Sequence, residues 1–255
     1  MSKEKIAISL DKNILDLIDS KVDGNSLRSR SQAIEWYLRK ALKEESVNTA
    51  VILLKGDHQK IAMHQYKGKS LLLQQLDFLE KNGMNKICII THKTKAGPDL
   101  KKEISKSKLN TEIIEKETKG NASALVAIKN IENDFVVMSG DVYNSFNLLR
   151  MIEKHKNEQK MATMGLMTRD KPTDYGTVVL DGDLIIDFIE KPKKAESMVV
   201  NAGIYIFKPE IFKLITSSTT SLERDIFPLL AKQHQLIGFF THGEYEHLME
   251  KARLQ

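Results

Sequence analysis

The sequence predicts an α/β protein in two parts: a small strand–helix–helix module over residues 1–46 and a larger mixed-sheet domain over 50–255. Three observations carry this division. A period-2 apolar run followed by two helical runs fills the first forty-five residues. From Ala50 onward, apolar strand-like runs alternate with amphipathic stretches. Between the two patterns, residues 43–49 are charged and polar, the composition of a short linker. At 255 residues the chain is long for one domain and sufficient for a module plus an α/β unit.

In the first part, Ile6, Ile8 and Leu10 alternate with Lys5, Ala7 and Ser9, which predicts a strand with one apolar face. Asp11 is placed to cap a helix whose apolar residues are Ile14, Leu15, Leu17, Ile18 and Val22. Asp23-Gly24-Asn25 breaks that helix, because Gly and Asn tolerate the left-handed conformation of a C-terminal cap. A second start at Ser29-Arg30-Ser31-Gln32 precedes Ala33, Ile34, Tyr37, Leu38 and Ala41, on a helix expected to end near Glu45. One strand and two short helices enclose no core alone, so a second copy is expected to complete the module.

In the second part, the runs AVILL, KICIIT, TEIIE, DFVVMSG, MATMGLM, YGTVVL, LIIDFIE, NAGIYIF and QLIGFF predict strands. Helices are expected over 70–81 and 122–131, giving a mainly parallel sheet with ligands at the carboxyl ends of its strands. Asp181-Gly182-Asp183 between two apolar runs predicts a hairpin, which makes part of the sheet antiparallel.

Composition excludes several classes. No apolar run approaches bilayer length and the start MSKEKIAISLDK is polar, so no signal peptide or membrane span is expected, and a cytoplasmic location is. The single cysteine, Cys88, excludes a disulfide framework, and its apolar surroundings predict a buried thiol. A net charge of +5 permits nucleic-acid binding. The first forty-five residues nevertheless hold nine Lys or Arg against eight Asp or Glu, so the case for DNA rests on where the charges sit.

Residues 3–45 resemble the ribbon–helix–helix repressors in strand, cap, turn and the Ser-Arg-Ser-x-Ala-Ile opening of the second helix. The resemblance implies a homodimer whose two-stranded ribbon enters the major groove of DNA. Lys5, Ala7 and Ser9 would face base edges, and Ser29, Arg30 and Ser31 would hold a backbone phosphate at a helix N-terminus. Ala7 and Ser9 are small, so Lys5 carries most of the base-reading capacity, and a pure dimerisation module remains the alternative.

Residues 50–240 resemble the sugar-phosphate nucleotidyltransferases, a Rossmann-like, GT-A-like fold. The points of resemblance are AVILL, Gly120-Asn121-Ala122-Ser123-Ala124-Leu125, Ser139-Gly140-Asp141, Tyr175-Gly176, Glu190-Lys191-Pro192, Asn201-Ala202-Gly203-Ile204-Tyr205 and Ser221-Leu222-Glu223, in the family's order. The family likeness implies that Asp141, at a strand end, is the catalytic carboxylate and the holder of Mg²⁺. Leu54, Gly56, Lys60, Gly120 and Asn121 would then meet the nucleotide. Gly176, Glu190, Lys191, Asn201 and Gly203 would meet the sugar and its phosphate.

The pattern fails on the triphosphate side. The family's Gly-Gly-x-Gly-Thr-Arg-Leu loop, which wraps the triphosphate, is here Lys55-Gly56-Asp57-His58-Gln59-Lys60-Ile61. Glycines are lost, an aspartate enters, and lysine replaces a bidentate arginine. The family's Pro-Lys pair is missing, with Lys67 or Lys69 as substitutes, and His247 stands where a second metal-holding aspartate is expected. Loss of these groups lowers a phosphoryl-transfer rate, since such catalysis is mostly positioning and electrostatics. The sequence therefore predicts a DNA-binding regulator whose impaired nucleotidyltransferase-like domain binds a nucleotide, sugar phosphate or nucleotide sugar as effector. The alternative is a working enzyme that joins a nucleoside triphosphate to a sugar 1-phosphate and uses the N-terminal module to oligomerise. A scaffold that binds nothing is the third option, and a second surface on the α/β domain would allow a higher oligomer than the dimer.

Overall fold

The computed structural model describes residues 6–24, 27–41, 47–128 and 131–247, and the chain divides into two units, Met1–Ser46 and Val47–Gln255. In the first unit the carboxylate of Asp11 caps α1 (Lys12–Asp19), accepting from the Asn13 amide at 3.3 Å. The Ser29 hydroxyl accepts from the Gln32 amide at 3.2 Å and opens α2 (Arg30–Ala41). Among the described residues of this unit only Ile18, Leu27 and Ala33 are buried, with Val22, Ile34 and Trp36 against them. A cluster that small leaves Ile6 74% and Leu17 65% exposed, along with Ile8 and Ile14.

Residues 6–10 form no strand, in contrast to the alternation that predicts one. The reason is geometric: a strand needs a ladder partner, and none of the described residues of this unit supplies it. Ala7 and Ser9 are exposed. Arg30, expected at a DNA phosphate, instead donates from Nε and Nη2 to the two carboxylate oxygens of Asp19 at 2.7 and 2.5 Å. A phosphate would have to compete with that carboxylate. Lys5, Asn25 and the expected helix end near Glu45 lie outside the described residues.

The second unit opens with β1 (Thr49–Leu53), a short α3 (Gln59–Ala62) and a two-rung hairpin of β2 (Gln65–Tyr66) and β3 (Lys69–Ser70). Ser70 caps α4 (Leu71–Lys81) by accepting from the Leu73 amide, so the helix starts where its polar-then-apolar sequence predicts. Then follow β4 (Lys86–Thr91), α5 (Gly97–Ile104), β5 (Thr111–Glu115), α6 (Asn121–Leu125), β6 (Phe135–Ser139), β7 (Val142–Asn144) and α7 (Leu148–Glu158). The chain continues through β8 (Ala162–Thr168), β9 (Gly176–Asp181), β10 (Leu184–Glu190) and β11 (Val199–Phe207). It ends, among the described residues, with α8 (Phe227–Lys232), β12 (Leu236–Phe240) and β13 (Tyr245–His247).

Nine strands form one mixed sheet in the order β5-β4-β1-β6-β11-β8-β12-β10-β9. Strands β5, β4, β1 and β6 are mutually parallel, β11 runs antiparallel to β6 and β8, and β12 is parallel to β8. The ends of β1, β4, β6, β8 and β12 therefore open on one mouth. The hairpin predicted at Asp181-Gly182-Asp183 joins β9 to β10, with Gly182 at φ +59°. The helix expected over 122–131 ends at Leu125, where the bonds tighten to i−3 spacing at Ala127 and Ile128.

Both sheet faces are covered. Alternate residues of β11 serve the two cores: Ile204 and Ile206 join Leu72, Leu76 and Leu79 of α4, while Tyr205 and Phe207 join Phe227 and Leu230 of α8. Phe207 is fully buried, with ring centroids 5.9 Å from Phe135 and 6.3 Å from Phe227. Phe207→Ala is expected to cost about 3–5 kcal/mol, measured by urea unfolding. Phe240→Ala, at a position 50% exposed, should change stability by less than about 1 kcal/mol.

Candidate functional site

At the mouth, the turn after β6 carries Asp141. The Gly140 amide donates to the Leu53 carbonyl at 2.9 Å, hooking this turn onto the end of β1. A Cβ on Gly140 would come within 2.9 Å of the Leu54 side chain, so the close approach of the two strand ends requires glycine there. Leu54 itself is buried beneath this turn, and its side chain belongs to the core rather than to a ligand surface. From α4, the buried Gln75 amide donates to the carbonyls of Ser139 at 2.9 Å and Val142 at 2.6 Å, one on each side of Asp141. The sequence reading missed Gln75. Its signal was a polar residue among the apolar positions of LLLQQLDFL.

The loop after β1 is a 3₁₀ turn, Gly56–His58, running into α3, instead of an open row of amides. Gln59 holds it shut. Its buried side chain donates to Thr91 Oγ1 at 2.9 Å and to the His92 carbonyl at 2.8 Å, and accepts from Thr94. Gly56 packs on Thr94 and His92, where a Cβ would meet the Thr94 methyl at 2.9 Å. His58 reaches Asp141, Nδ1 to Oδ2 at 3.1 Å, with both side chains largely buried at 13% and 16% exposure. On its other side, Nε2 lies 3.8 Å from the carboxylate of Asp57, which is 78% exposed. Of the basic candidates, Lys67 is paired with Glu244 and lies over the Tyr66 and Tyr143 rings, and Lys69 is paired with Asp77 at 2.5 Å. Lys60 is exposed on α3.

This donor set fits a protein-held Mg²⁺ poorly. Mg²⁺ prefers oxygen ligands, and the Asp141 oxygen that would meet it faces an imidazole nitrogen. Among the described residues no three His, Cys, Asp or Glu side chains gather as a metal site. The register of β13 on β7 sets His247 opposite Val142, one residue from Asp141, as its place in the sequence implies.

Across the mouth, a polar cradle forms at β10, β11 and the segment before α8. Glu190 ends β10 opposite Gly176. A Cβ on Gly176 would strike the Phe188 ring at 2.4 Å and Glu190 Oε2 at 2.9 Å, so this glycine makes room for the Glu190 carboxylate. Burial pushes Glu190 above its ordinary value, and the neighbouring Glu223 adds to the shift, against opposition from Lys191 and Arg224. Glu223 accepts from Asn121 Nδ2 through both oxygens at 2.9 Å and from Ser221 Oγ at 2.8 Å. Asn121 Oδ1 accepts from the Leu222 amide at 2.8 Å. Gly120, expected beneath a nucleobase, is packed on its own chain: a Cβ would lie 2.2 Å from the Thr220 carbonyl oxygen.

Asn201 donates to the hydroxyl of buried Tyr205 at 2.7 Å and accepts from the Gly203 amide at 2.9 Å. Gly203 sits at φ +69° in the irregularity where β11 shifts register between Asn201 and Tyr205, a conformation suited to glycine. Burial and then Glu223 hold the Tyr205 hydroxyl well above its usual range, with a smaller push from Glu190. Lys191 adopts φ +46°, uncommon for a side-chain residue, and its amide donates to the Tyr175 carbonyl at 3.1 Å. The structure thus brings Asn121, Glu190, Asn201 and Glu223 into one cradle. Glu223 and Tyr205 stood in recognisable motifs, but their partners are about a hundred residues away or across a bulge.

The nucleotidyl transferase family matches residues 33–245 of this chain. A mannose-1-phosphate guanylyltransferase catalytic subunit beta of Drosophila pseudoobscura pseudoobscura is 32% identical over 187 residues, covering 70% of this chain and 50% of that protein. A mannose-1-phosphate guanyltransferase of Saccharomyces cerevisiae is 29% identical over 189 residues, covering 70% and 52%. The chain therefore spans about half the length of these relatives. The crystal structure of HddC from Yersinia pseudotuberculosis shares the fold with a TM-score of 0.67 at 21% identity, over 79% of this chain and 93% of that one. From its ordered motifs, its mixed sheet and this match, the chain belongs to the nucleotidyl transferase family.

Proposed function

We propose that the α/β unit is a sugar-1-phosphate nucleotidyltransferase, joining a nucleoside triphosphate to a hexose 1-phosphate with release of pyrophosphate. In that reaction an oxygen of the sugar phosphate attacks the α-phosphorus, and the bond from that phosphorus to the departing pyrophosphate breaks. The observation that carries the reading is the cradle of Asn121, Glu190, Asn201 and Glu223 facing Asp141 across one mouth. Carboxylates and amides in that arrangement accept and donate to sugar hydroxyls. The mannose-1-phosphate guanylyltransferases among its relatives favour mannose 1-phosphate and a guanosine nucleotide as the first pair to try. Asp57, exposed at the loop, repels a triphosphate, and Lys55 and Lys60 are the exposed cations of that loop. Because the donors fit Mg²⁺ poorly, no step is assigned to a metal.

A second reading is favoured by the His58–Asp141 contact and the closed loop: the site retains recognition of a nucleotide sugar and has lost turnover. In that case the ligand is an effector of a ribbon–helix–helix regulator that binds DNA as a dimer. An effector acts only if it binds the two arrangements differently. The exposed Ile6, Ile8 and Leu10, at alternating positions, suit a strand that pairs with a second copy.

Three measurements test these proposals. Pyrophosphate release from guanosine triphosphate and mannose 1-phosphate is expected, at a rate below the ~10 s⁻¹ typical of enzymes. No release from any pairing in a panel of nucleoside triphosphates and hexose 1-phosphates would rule out the enzyme reading in favour of the effector. Glu190→Gln removes a buried charge beside Glu223, so the variant should melt higher than the wild type near pH 7 and bind hexose 1-phosphates more weakly. The raised value in the folded chain destabilises the native state above the ordinary 4.5. The variant's advantage therefore fades as pH falls through the raised value and Glu190 takes up its proton. Ile8→Glu should shift the full chain from dimer to monomer in sedimentation equilibrium, and an unchanged dimer would place the interface elsewhere.

A further inference from the structure

His58 and Asp141 meet at the mouth, and each is held there from behind. On the Asp141 side, buried Gln75 donates to the carbonyls of Ser139 and Val142 at 2.9 and 2.6 Å, which fixes the turn that carries the carboxylate. The Gly140 amide ties the same turn to the Leu53 carbonyl at 2.9 Å. On the His58 side, the His58 amide donates to the Lys55 carbonyl at 3.0 Å within the 3₁₀ turn. The next residue, Gln59, is buried and fastened to Thr91, the His92 carbonyl and Thr94. Neither backbone can retreat from the other without breaking bonds made by a buried side-chain amide.

The contact that results is a built one. His58 Nδ1 lies 3.1 Å from Asp141 Oδ2, within hydrogen-bond distance, and the two side chains are only 13% and 16% exposed. The other ring nitrogen faces Asp57, Nε2 to Oδ1 at 3.8 Å, so the imidazole stands between two carboxylates. A ring in that place takes up the Asp141 oxygen that a cation would use and covers it from water. It also sets a nitrogen where the octahedron of Mg²⁺ calls for oxygen ligands. His247, brought opposite Val142 by β13, offers a second nitrogen rather than a carboxylate.

An imidazole does not give what a divalent ion gives. It supplies an N–H and at most one positive charge, where the ion supplies two. The gain is permanence: the partner of Asp141 is covalently part of the chain, and its backbone is locked by Gln59.

We propose that His58 stands in for the divalent cation at Asp141, so that the mouth engages its ligands without Mg²⁺. The proposal deepens the transferase reading above, and Mn²⁺ binding tests it without any substrate, so either can fail alone. Mn²⁺ titration of the full chain, followed by electron paramagnetic resonance, should give the same isotherm for the wild type and for Asp141→Asn. His58→Ala clears the ring from between Asp57 and Asp141. It should bind Mn²⁺ about tenfold or more tightly than the wild type, the scale on which one neighbouring group changes metal affinity. Adding Asp141→Asn to His58→Ala should abolish that gain. His58→Asn keeps an N–H donor near the Nδ1 position and should stay at the wild-type level. Melting curves report whether each variant folds. If His58→Ala does not, the wild-type ring decides: its imidazole NMR signals should hold their positions in millimolar Mg²⁺, and a shift that Asp141→Asn removes overturns the proposal. Mn²⁺ bound by the wild type and lost in Asp141→Asn, or no tighter binding by a folded His58→Ala, also overturns it. Absence of pyrophosphate release alongside the expected Mn²⁺ results removes the transferase reading and leaves the His58 assignment standing.

Discussion

The carboxylate of Glu223 organises the half of the mouth that holds the polar cradle. Both its oxygens accept from the Asn121 side-chain amide nitrogen, and one also from the hydroxyl of Ser221, tying the start of α6 to the segment before α8. Asn121 returns a bond to the Leu222 amide, so the two segments are closed on each other from both sides. The same charge raises Glu190 and helps hold the hydroxyl of Tyr205 in its protonated form. A polar network of this kind is stable only when its members are satisfied, and the Thr220 carbonyl on which Gly120 packs accepts from the Ala122 amide at 3.1 Å.

The opposite half of the mouth rests on glutamines. Gln75 fixes the carbonyls either side of Asp141, and Gln59 fastens the loop after β1 to the end of β4. The result is a rigid Asp141 with His58 against it, and a loop folded into helical turns where an open phosphate cradle is expected from the family. The molecule is therefore uneven: the side holding Glu190 and Glu223 is a polar cradle, and the side holding the loop after β1 is folded into helical turns. In the proposed function, sugar-phosphate recognition falls to the cradle, and turnover depends on what His58 and α3 permit.

Much of the fold was legible because local rules and packing agree. Ser70 followed by an apolar helical run gives α4, and Asp181-Gly182-Asp183 gives the turn between β9 and β10. Even Asp141 at a strand end followed from pattern alone. Other features were not legible, because they depend on contacts across sequence. Nothing local announces that Gln75 brackets Asp141, that Gly176 is empty to admit Glu190, or that Gly120 packs on the Thr220 carbonyl. The helix predicted past Leu125 fails for a similar reason, since tertiary packing ends it before its periodicity does. In the N-terminal unit, the alternation at 6–10 is a strand signal without a strand, because no described residue of that unit pairs with it.

The Glu223-centred cradle is proposed to recognise a nucleotide-linked sugar or its phosphate. Calorimetric titration of the folded wild type and of Glu223→Ala with GDP-mannose tests this most directly. The expected result is saturable binding by the wild type and a loss of about tenfold or more in the variant, from the severed Asn121 and sugar contacts. Equal affinity in the two proteins, or binding by neither, would contradict it.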